Sequence, residues 1–416
     1  MKRPHALQMV ILIVAAIALF VSGWLVAQFL GVDDIMASMT ADKLAAEEAA
    51  AIAESEAAEA AKKPESISVA IYPYVSNIGV FKNVLTEMWA EMEPDVALKF
   101  VDWDCYVDPY PNNIDVITYD ALFLSNLVEN GFLQTLDTDS ISNTYGILPF
   151  AMEGAHYNGD LYALPFLACT SCMIYYADDE EMAKVENYTQ LIEVLTARMA
   201  AEPTDGLQTA FIKDAPYLYL DALIDHAGEY TTFDEAPTVY PPDTDIMKQF
   251  SDLLTVIVPL EEGEDIRPQF NSGEGLVCID YTEGMYFLND IADQLTIRTL
   301  SFSEEDNIQM FFTDLASVTS QVTDPVTLEL CIKLINLMAS EKFQTELCFG
   351  TGDVQYMLPA REQVYQAAME EYPIYEVLYE LVTAKNNEVF RFGPDIYQYL
   401  DKAHDTVCFP NNMLGS

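Results

Sequence analysis

Apolar residues along the chain follow three successive patterns. Residues 9 to 30 are almost unbroken in apolar character and come shortly after Lys2 and Arg3. At about 1.5 Å per helical residue, such a run nearly matches a hydrocarbon layer of about 30 Å. It predicts an export signal over residues 1–35. The run exceeds the roughly 7 to 15 residue core of a cleaved signal peptide, and no cysteine closely follows it to accept a lipid. An uncleaved N-terminal transmembrane helix is therefore favoured, with cleavage near residues 36–41 as the alternative. The basic residues on its amino side place everything after Leu30 outside the cytoplasm. Ala and Glu then dominate residues 40 to 63, a composition that favours helix but offers too little large apolar surface for a core. Residues 36–65 read as a spacer.

From Ser66 onward, short apolar runs alternate with amphipathic stretches. Residues 67–71 predict a strand, 78–91 a helix, 96–101 a second strand and 114–119 a third. Such alternation argues for an α/β fold on a parallel sheet. Ligands meet the carboxyl ends of strands in these sheets, which draws notice to Tyr72, Tyr74, Asp102, Trp103 and Asp120. A second βα-rich block covers 171–299, with amphipathic stretches at 189–199 and 217–226. A long helix is predicted at 325–339.

The chain length of 416 residues exceeds one compact core and suggests two intimately linked lobes with a cleft between them. With 67 acidic against 19 basic residues, the net charge is −48, which would repel a phosphate backbone and excludes nucleic acid as a partner. The same charge can attract a cationic ligand, within a screening length of roughly 8 to 10 Å. Seven cysteines are an odd number for an exported protein and lack the spacing of a disulfide scaffold, so at least one thiol is expected free. Cys169 and Cys172 form a CxxC. Residues 173–176 continue as a strand instead of opening a helix, which disfavours a redox motif, and no second CxxC completes a zinc site. The four histidines are scattered, so no metal site and no organic cofactor are expected.

Several longer segments carry a resemblance. Asn158-Gly159-Asp160-Leu161-Tyr162-Ala163-Leu164-Pro165-Phe166, leading into 167–176, looks like the lobe-crossing strand of the bacterial extracellular solute-binding proteins. Phe270-Asn271-Ser272-Gly273-Glu274-Gly275 resembles their ligand-contacting turn. Ser340-Glu341-Lys342-Phe343-Gln344 and Leu358-Pro359-Ala360-Arg361 resemble their closing helices. The resemblance implies a two-lobed, type II periplasmic-binding-protein-like fold with a ligand cleft at the hinge. Lobe 1 is expected over 66–170 plus 300–350, and lobe 2 over 171–299 plus 351–416.

Residues 69–75 (VAIYPYV), 100–104 (FVDWD) and 115–123 (DVITYDALF) further resemble thiaminase I, thiamine pyridinylase. That resemblance implies a cysteine nucleophile shortly after the lobe-crossing Pro, where Cys169 stands, and a catalytic glutamate after the Gly-rich segment, where Tyr281-Thr282-Glu283 stands. It also implies carboxylates near the aminopyrimidine, at Asp120 and Asp314. Tyr72, Tyr74, Tyr281 and Phe312 offer aromatic surface to the same ring. The implied reaction exchanges the thiazolium of thiamine for an organic base or thiol. A free thiol with a pKa near 8.5 is only slightly ionised at neutral pH, so Glu283 as proton acceptor would activate Cys169. The partners implied are thiamine or a related aminopyrimidine, a basic or thiol co-substrate, and the membrane through the N-terminal helix. A monomer outside the cytoplasm, anchored or secreted, is expected.

Other readings stand beside these. Cys169 can be a small buried apolar residue, or paired in a disulfide with Cys172 that would silence it. Glu283 can be a solvated helix-start acid, Asp120 a helix cap, and Tyr72 and Tyr74 strand-end aromatics. A non-catalytic binding protein for thiamine, a pyrimidine or another small ligand requires neither thiol nor base. A thiol-redox protein would need a helical setting for the CxxC.

Overall fold

Two large β-sheets and a two-stranded one, His156–Tyr157 with Asp160–Leu161, organise the described part of residues 63–416 in the computed structural model, which forms one compact unit there and a separate one over residues 1–62. The structure describes residues 16, 17, 19–22, 24, 63–73, 75–142, 144–201, 210–227, 244–260, 266–273, 275–302, 308–350, 352 and 354–408. Residues 36–62 of the expected spacer and Tyr74 lie outside these residues, as does most of the expected transmembrane run. Among the described residues no helix is long and apolar enough to cross a membrane.

The first sheet has seven strands. Its main path orders Leu358–Pro359 (β13), Leu164–Cys169 (β6), Gln309–Val318 (β12), Val116–Asp120 (β3), Ser66–Ile71 (β1) and Ala97–Asp102 (β2). Asn387–Val389 (β14) pairs with β12 off this path. β3, interior to the sheet between β12 and β1, is buried throughout, whereas β2 at the edge is largely exposed. The helix Ile78–Met92 begins at Asn77, whose side chain accepts hydrogen bonds from the Gly79 and Val80 N–H groups. Its Phe81, Val84, Leu85, Met88 and Trp89 form the buried stripe that seats it.

The expected parallel pairing holds for β1 with β2 and with β3. β12 runs antiparallel to both β3 and β6, making the sheet mixed. β13 and β14 were expected with the second lobe, yet they hydrogen-bond to β6 and β12 of this first sheet. Strands of two and three residues carry no alternation by which sequence could place them.

The second sheet orders Leu295–Arg298 (β11), Ser171–Tyr176 (β7), Val277–Tyr281 (β10), Ala210–Ile212 (β8) and Val258–Pro259 (β9). A single residue, Thr170, carries the chain from β6 in one sheet to β7 in the other. Its hydroxyl donates to the Met310 carbonyl at 2.6 Å and accepts from the Gln309 amide at 2.5 Å, pinning the crossover to β12.

Candidate active site

Strand ends from both sheets converge beside Thr170. Cys169 is the last residue of β6 and stands opposite Phe312 of β12. Two residues along β12, Asp314 stands opposite Asp120, the last residue of β3. From the second sheet, Tyr281 ends β10 opposite Ser171, and Glu283 lies in the first turn of the 3-10 helix Thr282–Gln294. The Cys169 thiol lies against the Glu283 carboxylate, which raises the thiol's pKa while the thiol lowers that of the carboxylate. The structure thus brings Cys169, Glu283, Asp120, Asp314, Tyr72, Tyr281 and Phe312 into one cluster; Tyr74 alone of the expected residues is not described.

Aromatic rings wall this cluster. Tyr281 and Tyr217 meet Phe312 edge-on, with centroids 5.3 and 5.9 Å away. Tyr106 stacks on Tyr72 at 6.2 Å and meets Tyr217 edge-on at 5.8 Å. The Tyr106 hydroxyl also donates to Asp120 at 3.1 Å. Asp120 accepts from the Leu122 N–H at 2.9 Å as well, so it caps the turn that follows β3 while facing the cluster. Sequence reasoning missed Tyr106, Tyr217, Lys213, Asp214 and Asp280. Asp102 and Trp103, singled out by position, lie elsewhere: Asp102 pairs with Lys82 at 2.6 Å, and Trp103 is buried with its indole N–H on the Pro109 carbonyl.

The electrostatics follow from crowding acids into a space poor in water. Burial pushes Asp120 up to about 7, opposed by its hydrogen bonds from Leu122 and Tyr106 and assisted by the charge of Glu283. Burial also pushes Glu283 up to about 7. Asp314 is raised well above the carboxylate range by burial and by repulsion from Asp120 and Glu283. Burial, then the charges of Glu283, Asp314 and Asp120, hold the Cys169 thiol well above its ordinary value. Cys169 rests as a neutral thiol, because burial and then the neighbouring acids Glu283, Asp314 and Asp120 disfavour a thiolate there. A cation brought against this cluster would favour the thiolate.

Cys169 and Cys172 are both free thiols, with Cys172 buried in the core beneath the second sheet. The described residues contain no group of His, Cys, Asp and Glu able to hold a metal ion.

Comparison with known proteins extends this geometry. Residues 108–377 match the bacterial extracellular solute-binding protein family. The chain is 34% identical over 359 residues to Thiaminase-1 of Paenibacillus thiaminolyticus, covering 82% of this chain and 87% of that protein. The solved structure of Clostridium botulinum thiaminase I in complex with thiamin is 30% identical, with a TM-score of 0.75, over 84% of this chain and all of that one. Maltose-bound MalE3 of T. maritima, 17% identical with a TM-score of 0.67 over 84% of this chain and 97% of that one, shares the fold.

Proposed function

Because the chain belongs to the bacterial extracellular solute-binding protein family and, within it, to the thiaminase I family, we propose that it exchanges the thiazolium of thiamine for another nucleophile through a covalent intermediate on Cys169. The placing of the Cys169 thiol against Glu283 carries this reading, since capture of a solute needs neither a nucleophile nor a base.

The chemistry uses the resting charge state. Thiamine brings a positive thiazolium into a cleft of carboxylates, which supplies the charge that ionisation of Cys169 requires. As Sγ bonds to the aminopyrimidine ring, the thiol proton passes to Glu283, whose pKa near 7 suits a base at neutral pH. The bond to the thiazolium nitrogen then breaks with its electron pair on nitrogen, so the thiazole leaves neutral. An organic base or thiol bonds to the carbon it vacated, Cys169 departs with its electron pair, and Glu283 returns the proton. A thiol or an amine bearing N–H releases its own proton overall, whereas a tertiary base leaves the positive charge on the product.

Asp120 and Asp314 are assigned to the aminopyrimidine. In ionised form each accepts from an exocyclic amine, and in protonated form each donates to a ring nitrogen. Tyr72, Tyr281 and Phe312, joined by Tyr106 and Tyr217, flank a flat ring. The protein is assigned a place outside the cytoplasm as a monomer, tethered by residues 9–30 or released by cleavage after them.

The test is to incubate the protein with thiamine and an aromatic amine under reducing conditions and to seek the exchanged pyrimidine by mass spectrometry. Exchange in the parent, absent from Cys169→Ser and Glu283→Gln, supports the transferase and both roles. Thiamine binding without exchange would make the protein a capture protein instead.

A further inference from the structure

We propose that Lys213 and Asp280 form an ion pair that holds the turn carrying Glu283 and balances its charge, acting as positioning residues for the base. The proposal rests on the reading of Glu283 as proton acceptor. Lys213 directly follows β8, and its backbone N–H donates to the Ile279 carbonyl at 2.8 Å, which sets it beside Asp280 on β10. Its ammonium lies 3.6 Å from Asp280 Oδ1 and 5.9 Å from the centroid of the Tyr281 ring.

Asp280 grips the turn from the other side. Its Oδ1 accepts from the Tyr281 N–H at 2.7 Å. Its Oδ2 occupies the space where a β-carbon on Gly284 would sit, so the carboxylate leans directly on the backbone after Glu283. Only glycine at 284 allows this approach. A buried carboxylate so placed needs a counter-charge, and Lys213 supplies it.

Glu283 therefore lies between opposed influences. Cys169 from β6, Asp120 from the end of β3 and Asp314 from β12 face it from the first sheet. Cys172 from β7, Asp280 and Tyr281 from β10 and Lys213 after β8 face it from the second, with Asp214, next to Lys213, beside Tyr281. Lys213 is the one cation in this set. Its side chain keeps 43% of its exposure, so water screens part of its effect.

The experiment is an NMR titration of the Glu283 carboxyl carbon in the isotope-labelled full chain, assigned by its loss in Glu283→Gln. Lys213→Met should raise the Glu283 midpoint by about half a pH unit, Lys213→Arg should restore the parent value, and Asp280→Asn should lower it. The acid limb of kcat/KM for exchange should move in the same directions. Folded Lys213→Met protein with the parent midpoint would overturn the proposal, as would a shift that Lys213→Arg fails to restore. Should Asp280→Asn fail to fold, the Met and Arg variants decide. A parent that exchanges no thiamine counts against the transferase reading alone, because the titration is read without turnover.

Discussion

The thiol of Cys169 lies against the carboxylate of Glu283, although the first ends β6 in the seven-stranded sheet and the second follows β10 in the five-stranded sheet. The contact exists because Thr170 alone separates β6 from β7, and β7 pairs directly with β10. Two side chains carried on different sheets meet only when the two sheets are correctly apposed.

If the two side chains act as a unit, their losses should not add. Glu283→Gln is expected to lower kcat by about 10²- to 10⁴-fold, and Cys169→Ser by at least as much. The double variant should be no worse than Cys169→Ser alone. Steady-state exchange kinetics on all three proteins would show it, and additive losses would mean that Glu283 serves some step other than proton transfer from Cys169.

The pH dependence has a definite sign. Only ionised Glu283 accepts a proton, and burial pushes its pKa up to about 7, so kcat/KM should climb as pH rises through that value. Asp120, also near 7, loses its proton over the same range. If its protonated form donates to the pyrimidine, the profile turns down again on the alkaline side. The two limbs then report the coupled cluster and not single residues. A profile flat across neutral pH would sink the assignment of Glu283.

Stability should change the opposite way. Folded Asp120 keeps its proton up to about pH 7, whereas an unfolded aspartate releases it near about 3.9. Between those values the folded state binds more protons, so stability is greatest at the acid end and falls as pH rises. The slope contributed by this one group is at most about 1.4 kcal/mol per pH unit. Self-repulsion of the whole acidic chain adds a slope of its own, common to parent and variant. Asp120→Asn should therefore show a shallower decline of Tm between about pH 5 and 7 than the parent, and equal declines would remove Asp120 as a cause.

How far the sequence reveals this site depends on strand length. β1, β3 and the helix Ile78–Met92 stand out because their apolar runs are long and regular, and the rule of strand carboxyl ends then leads to Tyr72 and Asp120. The same rule would have led to Lys213, Asp214 and Tyr217, which follow β8. That strand has three residues and follows no readable period, so nothing marked its end. Asp102 met the rule and failed it because β2 is an edge strand whose last residue turns to solvent and to Lys82. Tyr106 lies in an irregular loop after β2 and is recruited only by tertiary contacts with Tyr72 and Asp120. Cys169 and Glu283 carry no local signal beyond residue type; the resemblance singled them out, and the fold supplies their contact.

Cys172 is the residue that separates an active thiol from a silenced one. It stands opposite Asp280 in the β7–β10 pairing and is only 1% exposed, with burial holding its thiol well above the ordinary value. Shut away from solvent, that thiol neither attacks nor oxidises readily, whereas Cys169, raised likewise, is partly exposed and open to reagent. Cys172→Ala should keep exchange activity within a few-fold of the parent while costing about 1 kcal/mol of stability for the lost sulfur contacts. Iodoacetamide should inactivate both proteins at similar rates, with the label on Cys169 by peptide mass. Label on Cys172, or a reductant requirement that disappears in Cys172→Ala, would instead reveal a disulfide that switches the nucleophile off.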